Sequence, residues 1–123
     1  MAKILFIEDE PDHIAIYETK LNDEGFLFVS APDKKTSLGL IEQEKPDLIL
    51  LDLLLVNENG LEILEKLKAD EKTKDIPVVV FTNYDEKEYR EKAMALGAID
   101  FVAKTSVTPD EMVEKIRKIL NKK

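Results

Sequence analysis

Residues 47–60 read Asp47-Leu48-Ile49-Leu50-Leu51-Asp52-Leu53-Leu54-Leu55-Val56-Asn57-Glu58-Asn59-Gly60. The apolar run Leu48 to Leu51, entered through Pro46 and Asp47, has the length and bounds of a strand buried on both faces. Asp52 falls at its C-terminal end. A carboxylate flanked by Leu50, Leu51, Leu53, Leu54 and Leu55 is costly to desolvate alone. It demands a cation, a set of hydrogen-bond donors or a solvent cleft.

Upstream of this stretch, Lys3 to Glu8 reads as a short buried strand closed by the acidic loop Glu8-Asp9-Glu10 and Pro11. From Asp12 to about Glu24, Ile14, Tyr17 and Leu21 recur at helical spacing, and Gly25 is placed to stop that helix in a left-handed conformation. Phe26 to Ser30 is expected to be the second strand. After Ala31-Pro32-Asp33, Asp33 can N-cap a second helix carrying Leu38, Leu40 and Ile41 and ending near Lys45.

Downstream, Asn57 to Gly60 reads as a turn, and Leu61, Ile63, Leu64 and Leu67 describe a third helix. Val78 to Thr82 is strongly β-favouring. Asp85 with Glu88 resembles a capping box for a fourth helix, with Tyr89, Ala93 and Leu96 on one face and Gly97 as its stop. Asp100 to Ala103 makes a last strand. Thr108-Pro109-Asp110-Glu111 combines an N-cap, Pro at the first helical position and a capping Glu, and it heads a helix with Met112, Ile116, Ile119 and Leu120.

Strand and helix thus alternate five times across residues 1–123, without internal repeat or linker, as expected of one α/β domain. The pattern predicts a five-stranded parallel sheet in the order 2-1-3-4-5, flanked by five helices in a flavodoxin-like doubly wound fold. Ligands in such sheets bind where strand C-termini meet at the topological switch point. The first strand ends in Glu8-Asp9, the third in Asp52 and the fourth in Thr82, while Lys104 follows the fifth. The second ends without a chemically strong group, which suits an edge.

Composition narrows the function classes. The 123 residues suit one domain of common size, and 44% hydrophobic with 36% charged residues argues against disorder. A formal net charge of −8 disfavours phosphate-backbone binding, so nucleic acid is not an expected partner. Without cysteine there is neither a disulfide nor a thiolate metal site. The N-terminal apolar run is too short for a signal peptide and no segment has the length of a membrane span, so a cytoplasmic location is expected.

Three carboxylates, a hydroxyl and an ammonium at one sheet edge divide the labour of phosphoryl transfer. Carboxylates imply a hard cation. Mg²⁺ takes one or two protein carboxylates and keeps several waters, so Asp9 and Asp52 are candidate direct ligands, with Glu8 acting through water. Lys104 and Thr82 suit the equatorial oxygens of a transferring phosphoryl group. One oxygen of Asp52 is then the candidate nucleophile.

With those residues in place, the chain resembles the receiver domains of two-component response regulators over essentially its whole length. The resemblance is to the stand-alone, chemotaxis-regulator type. It is carried by Ile7-Glu8-Asp9-Glu10, by Lys45-Pro46-Asp47-Leu48-Ile49-Leu50-Leu51-Asp52, by Gly60, by Phe81-Thr82 and by Phe101-Val102-Ala103-Lys104. Each is weak alone, but the ordered set is specific. The resemblance implies that Asp52 accepts a phosphoryl group from a phosphohistidine on a sensor histidine kinase or histidine phosphotransferase. It also implies a metal site of Glu8, Asp9, Asp52 and the Leu54 backbone carbonyl, taking Mg²⁺ or Mn²⁺, with Thr82 and Phe101 as switch residues. Output through the face of the fourth helix, fifth strand and fifth helix, to a downstream protein, follows from the same resemblance. So does a monomer or a weak phosphorylation-dependent dimer, with neither membrane nor nucleic acid as partner.

The departures from the family pattern are local. Leu55-Val56 stands where relatives often have Met-Pro. Thr105 follows Lys104 in place of proline, so either a cis bond costing roughly 2.5–4 kcal/mol is supported there or the loop is rearranged. Apolar Leu54 and bulky Tyr84 flank the path of an attacking water, which predicts slow self-dephosphorylation. Taken singly, Asp52 reads about equally well as a cap or turn residue, and Glu8, Asp9, Thr82 and Lys104 as solvated strand ends. Phe101 reads as partly buried packing, compatible with a switch role. His13, without a second imidazole or a thiolate, is a poor zinc ligand and reads as a partly exposed surface or docking residue. The Lys115, Arg117, Lys118, Lys122 and Lys123 cluster reads as a solvated helix face.

Three alternatives remain. A phosphorylation-independent adaptor of the same fold is compatible with Thr105 and Val56 but disfavoured by the intact acidic set. FMN binding requires a phosphate cradle where Glu8-Asp9-Glu10 would repel it. A haloacid-dehalogenase-type phosphatase expects a second aspartate where Leu54 stands.

Overall fold

The computed structural model describes residues 1–121. Lys122 and Lys123 of the basic cluster lie outside the described residues. The order is β1 (Lys3–Ile7), α1 (Pro11–Asp23), β2 (Leu27–Ala31), α2 (Lys34–Glu44), β3 (Leu48–Leu51), α3 (Gly60–Ala69), β4 (Val78–Thr82), α4 (Lys87–Leu96), β5 (Asp100–Ala103) and α5 (Pro109–Leu120). A two-residue antiparallel ladder, Leu54–Leu55 with Glu58–Asn59, lies between β3 and α3. The main sheet is parallel throughout in the spatial order β2-β1-β3-β4-β5, as the strand–helix alternation predicts.

The apolar strand residues explain this architecture. Leu48 to Leu51 are fully buried, and β3 pairs with β1 on one side and β4 on the other. Alternate side chains feed two cores. Ile49, Leu51, Leu5, Ile7, Val78 and Val80 pack with Ile41 of α2, Ile63, Leu64 and Leu67 of α3 and Ala93 of α4. Leu48, Leu50, Ile4, Phe6, Val79 and Phe81 pack with Tyr17 and Leu21 of α1 and Met112, Val113 and Ile116 of α5. Each fully buried Leu or Ile contributes roughly 1.5–3 kcal/mol of transfer free energy. The central strands therefore carry much of the stability, and their C-terminal ends are held on a rigid base.

Several helix ends follow local chemistry. Asp33 accepts from the Thr36 N–H at 2.7 Å, and Thr108 with Glu111 completes a reciprocal capping box. Gly25 (φ 91°) and Gly97 (φ 110°) take the left-handed conformation that their positions demand. Helix α1 begins one residue earlier than the periodicity predicts: Glu10 caps it through the Asp12 N–H, with Pro11 at the first position.

Other expectations are corrected. The Asp85/Glu88 capping box does not form, because Glu86 occupies the cap position without a side-chain bond and Asp85 pairs with Arg90 instead. Strand β2 starts at Leu27 rather than Phe26, whose ring lies under the Arg117 guanidinium at 5.7 Å. That contact also revises the solvated basic face. Arg117 binds Glu24 at 2.8 Å and Lys115 approaches Asp100 at 3.3 Å, so two members of the cluster tie α5 to its neighbours. No cis peptide occurs among the described residues, and Lys104–Ser106 forms a 3₁₀ turn, so the loop after β5 is the rearranged alternative.

Gly60 fixes the approach of α3 to the end of β3. Its N–H donates to the Leu53 carbonyl at 2.9 Å, and a Cβ there would collide with the Asp52 carbonyl oxygen and stand 2.7 Å from Leu53 Cα. Backbone cannot yield as a side-chain tip can. Gly60→Ala is therefore expected to destabilise the chain by about 1–3 kcal/mol, measured as a lower urea midpoint with unchanged slope.

Candidate functional site

Strand register places the site. Ile7 pairs with Leu51, so the residues that follow them, Glu8 and Asp52, leave the sheet side by side. The Asp52 N–H donates to the Ile7 carbonyl at 3.0 Å, and the Glu8 N–H donates to the Ala31 carbonyl at 2.9 Å. Thr82 ends β4 beside them, and Lys104 follows β5. Four residues scattered through the sequence thus share one sheet edge at the switch point between β1 and β3.

Their electrostatics are tightly constrained. Glu8 is 1% exposed and Asp52 4% exposed. The Lys104 ammonium bridges them, hydrogen-bonded to Glu8 Oε1 and, at 2.9 Å, to Asp52 Oδ2. Asp52 Oδ1 accepts from the Leu54 N–H at 3.1 Å. Glu8 Oε2 accepts from the Asp9 and Glu10 N–H groups at 3.1 and 3.3 Å, and Oε1 lies 3.2 Å from His13 Nδ1. Burial pushes the Glu8 carboxyl up, but His13 and Lys104 together outweigh it and hold the carboxyl at about 2. Asp52 moves the other way: burial raises it and the Glu8 charge adds to the rise, while Lys104, the Leu54 N–H and the Thr82 hydroxyl oppose without cancelling. For Lys104 burial acts downward, and the two carboxylates more than reverse it.

The remaining residues fall around this trio. Thr82 is fully buried, with its Oγ1 accepting from the Tyr84 N–H at 3.2 Å. Phe101 is 6% exposed, and Arg90, paired with Asp85, lies 5.1 Å over its ring. Asp9 is directed to the Val56 N–H at 2.6 Å rather than to Asp52. Leu54 contributes its N–H to Asp52, while its side chain is 51% exposed. Tyr84 packs edge-on against Tyr89 at 4.6 Å.

Among the described residues, no three acidic or imidazole side chains converge as a ready-made metal cage. The chemistry of the donor set nonetheless fits a hard dication. Glu8, Asp9 and Asp52 bring three carboxylates against the single Lys104 ammonium, and all offer oxygen. Glu8 already accepts from four donors, which suits contact through water rather than direct ligation.

Two contributions escaped the sequence reading. His13 is partly exposed, as its position predicts, but it is more than a surface residue: its ring packs against Phe6, Tyr17 and Phe81 at 5.6, 5.2 and 5.3 Å while its Nδ1 meets Glu8. Its position three and four residues before the apolar Ile16 and Tyr17, in the first turn of α1, was the available signal. Glu58, treated as part of a turn, accepts from the Lys34 N–H at 2.8 Å and ties the ladder after β3 to the start of α2.

A doubly wound sheet with a lysine-bridged pair of buried carboxylates at its switch point defines a receiver-like α/β domain, and comparison with known proteins makes the family explicit. The chain belongs to the response regulator receiver domain family, whose pattern it matches over residues 4–117. These are the phosphoacceptor domains of two-component signalling. It is 33% identical over 120 residues to the phosphate regulon transcriptional regulatory protein PhoB of Escherichia coli K12, covering 98% of this chain and 52% of that protein. The chain therefore spans about half the length of that relative. Its structure is similar to a CheY-like receiver domain protein from Methanospirillum hungatei (TM-score 0.91, 26% identity, covering 99% and 95% of the two chains). It is also similar to the Mn²⁺-bound form of response regulator Rcp1 (TM-score 0.82, 26% identity, covering 94% and 91%).

The shared ammonium generates opposite expectations for its two ends. Asp52→Asn removes a disfavoured buried charge and leaves Lys104 paired with Glu8, so in chelator-containing buffer its Tm should rise above that of the wild type. Lys104→Met strands two carboxylates together and should cost about 3 kcal/mol, read from urea unfolding at neutral pH.

Proposed function

We propose that this chain is a cytoplasmic receiver that accepts a phosphoryl group on Asp52 and switches partner binding in response. The observation that carries the reading is the buried Asp52 carboxylate, bridged by Lys104 to Glu8 at the C-terminal ends of β3 and β1. Such a carboxylate is fixed in place and already faces the cation that a phosphoryl group needs. The domain is proposed to be residues 1–123 as one unit.

In the proposed reaction, an Asp52 carboxylate oxygen attacks the phosphorus of a phosphohistidine on a sensor histidine kinase or histidine phosphotransferase. The new P–O bond forms as the P–N bond breaks, and the imidazole leaves with the bonding pair. Lys104 and the Thr82 hydroxyl face the phosphoryl oxygens, which act by charge neutralisation and positioning more than by covalent chemistry. Asp9, Asp52 and the Leu54 carbonyl would hold Mg²⁺ or Mn²⁺, with Glu8 in reach through water. A bound dication supplies charge neutralisation for the phosphoryl oxygens.

Phosphorylation adds about −1.5 to −2 of charge and three strong acceptors. Thr82 and Lys104 meet them, and the change passes to Phe101 through the β4–α4 loop. Phe101 lies beneath Arg90, whose partner Asp85 is in that loop, so the switch aromatic and the loop are already joined. The α4-β5-α5 face is the proposed output surface toward a downstream protein. The chain is proposed to be a monomer or a weak phosphorylation-dependent dimer.

Incubation with a small phosphodonor and Mg²⁺, followed by intact mass, is expected to give one phosphoryl adduct in the wild type and none in Asp52→Asn. An adduct persisting in the variant would defeat the assignment. Exposed Leu54 and Tyr84, engaged with Tyr89, offer little to orient an attacking water. The isolated phosphoprotein should therefore lose its phosphoryl group slowly. Decay of the adduct after donor removal measures this, and rapid loss would contradict it.

A further inference from the structure

His13 is unused by the proposed phosphoryl transfer, yet it is one of only two side chains that donate to Glu8 Oε1 among the described residues. The other is Lys104. An ionised carboxylate only accepts hydrogen bonds, so His13 Nδ1 carries the proton of the 3.2 Å contact. The imidazole is not free to turn away. Phe6, Tyr17 and Phe81, each buried in the α1/α5 core, wall the ring on several sides. The core therefore sets the ring plane, and the ring plane sets where the N–H points.

The consequence appears when Lys104 changes partner. A phosphoryl group on Asp52 brings more negative charge to Lys104 than the bare carboxylate does. As the ammonium moves to it, Glu8 Oε1 loses a donor. Glu8 is 1% exposed, so bulk solvent has little access to the vacated place, and an unpaired buried carboxylate oxygen carries a large desolvation penalty. His13 is the donor that stays.

We propose that His13 is a positioning residue for Asp52 phosphorylation: it holds the Glu8 carboxylate fixed and hydrogen-bonded while Lys104 transfers its ammonium from Glu8 to the phosphoryl group. The inference rests on the reading of Asp52 as phosphoacceptor.

Two substitutions separate the hydrogen bond from the packing. His13→Leu keeps an apolar filling and removes the donor, whereas His13→Asn places an amide N–H near the position of Nδ1. Initial phosphorylation rates are measured over a range of acetyl phosphate with Mg²⁺, alongside intact mass and Tm. In His13→Leu the maximal rate should fall about tenfold, the loss expected for one hydrogen bond to a charged group, with the half-saturating donor concentration unchanged. His13→Asn should recover most of that rate. In the wild type, the His13 Nδ1–H resonance in ¹H–¹⁵N spectra should persist after Asp52 is phosphorylated.

His13→Leu at the wild-type maximal rate, His13→Asn as slow as His13→Leu, or loss of the Nδ1–H signal on phosphorylation would each overturn the inference. A wild-type chain that takes no adduct would remove the phosphoacceptor reading and this inference with it. An adduct in the wild type with an unimpaired His13→Leu removes the inference alone.

Discussion

Two carboxylates and one ammonium buried together at the ends of apolar strands impose the constraint on which the rest of the structure depends. Neither Glu8 nor Asp52 could remain charged there alone, since desolvation penalises an isolated buried ion by several kcal/mol. Lys104 offsets that penalty for both at once. Because one cation serves two anions, the trio keeps a negative excess, and Asp52 is left the less comfortable of the pair. An anion in that condition is suited to changing its bonding, whereas Glu8, with four donors, is suited to staying where it is.

The scaffold supports this arrangement from both faces of the sheet. On one side α3 closes against the end of β3 at Gly60, where there is no space for a Cβ. On the other, the aromatic group of Phe6, Tyr17 and Phe81 packs under α1 and orients His13 toward Glu8. The site is thus built on strand ends and one helix turn rather than on free loops. The rim is more open to solvent, with Leu54 and Val56 exposed and Arg90 reaching from α4 over Phe101.

How much of this was legible beforehand depended on the range of each signal. The four-residue apolar run before Asp52, the left-handed glycines at 25 and 97 and the Thr108–Glu111 box are local, and each appears where the sequence puts it. The alternation of strand and helix led to the 2-1-3-4-5 sheet, and the sheet to the meeting of Glu8, Asp52, Thr82 and Lys104. Local signals failed where a tertiary partner competed. Asp85 abandons a capping role for Arg90, and Phe26 leaves its strand for the guanidinium of Arg117.

The sequence by itself determined the class of fold and which side chains stand at its functional edge, because hydrophobic periodicity fixes the elements and parallel topology brings their ends together. Only the tertiary structure decided how those side chains share their bonds. Lys104 lies 96 residues from Glu8 and 52 from Asp52, and no spacing rule states that one ammonium will span both. His13 is the same case in smaller form: five residues from Glu8, it reads only as partly exposed, and its role shows when the core rings beside it aim its Nδ1 at Glu8. The physical reason is that hydrogen bonds and ion pairs depend on distances of a fraction of an ångström. Those distances are set by how two sheets of side chains pack, not by the order in which residues follow one another.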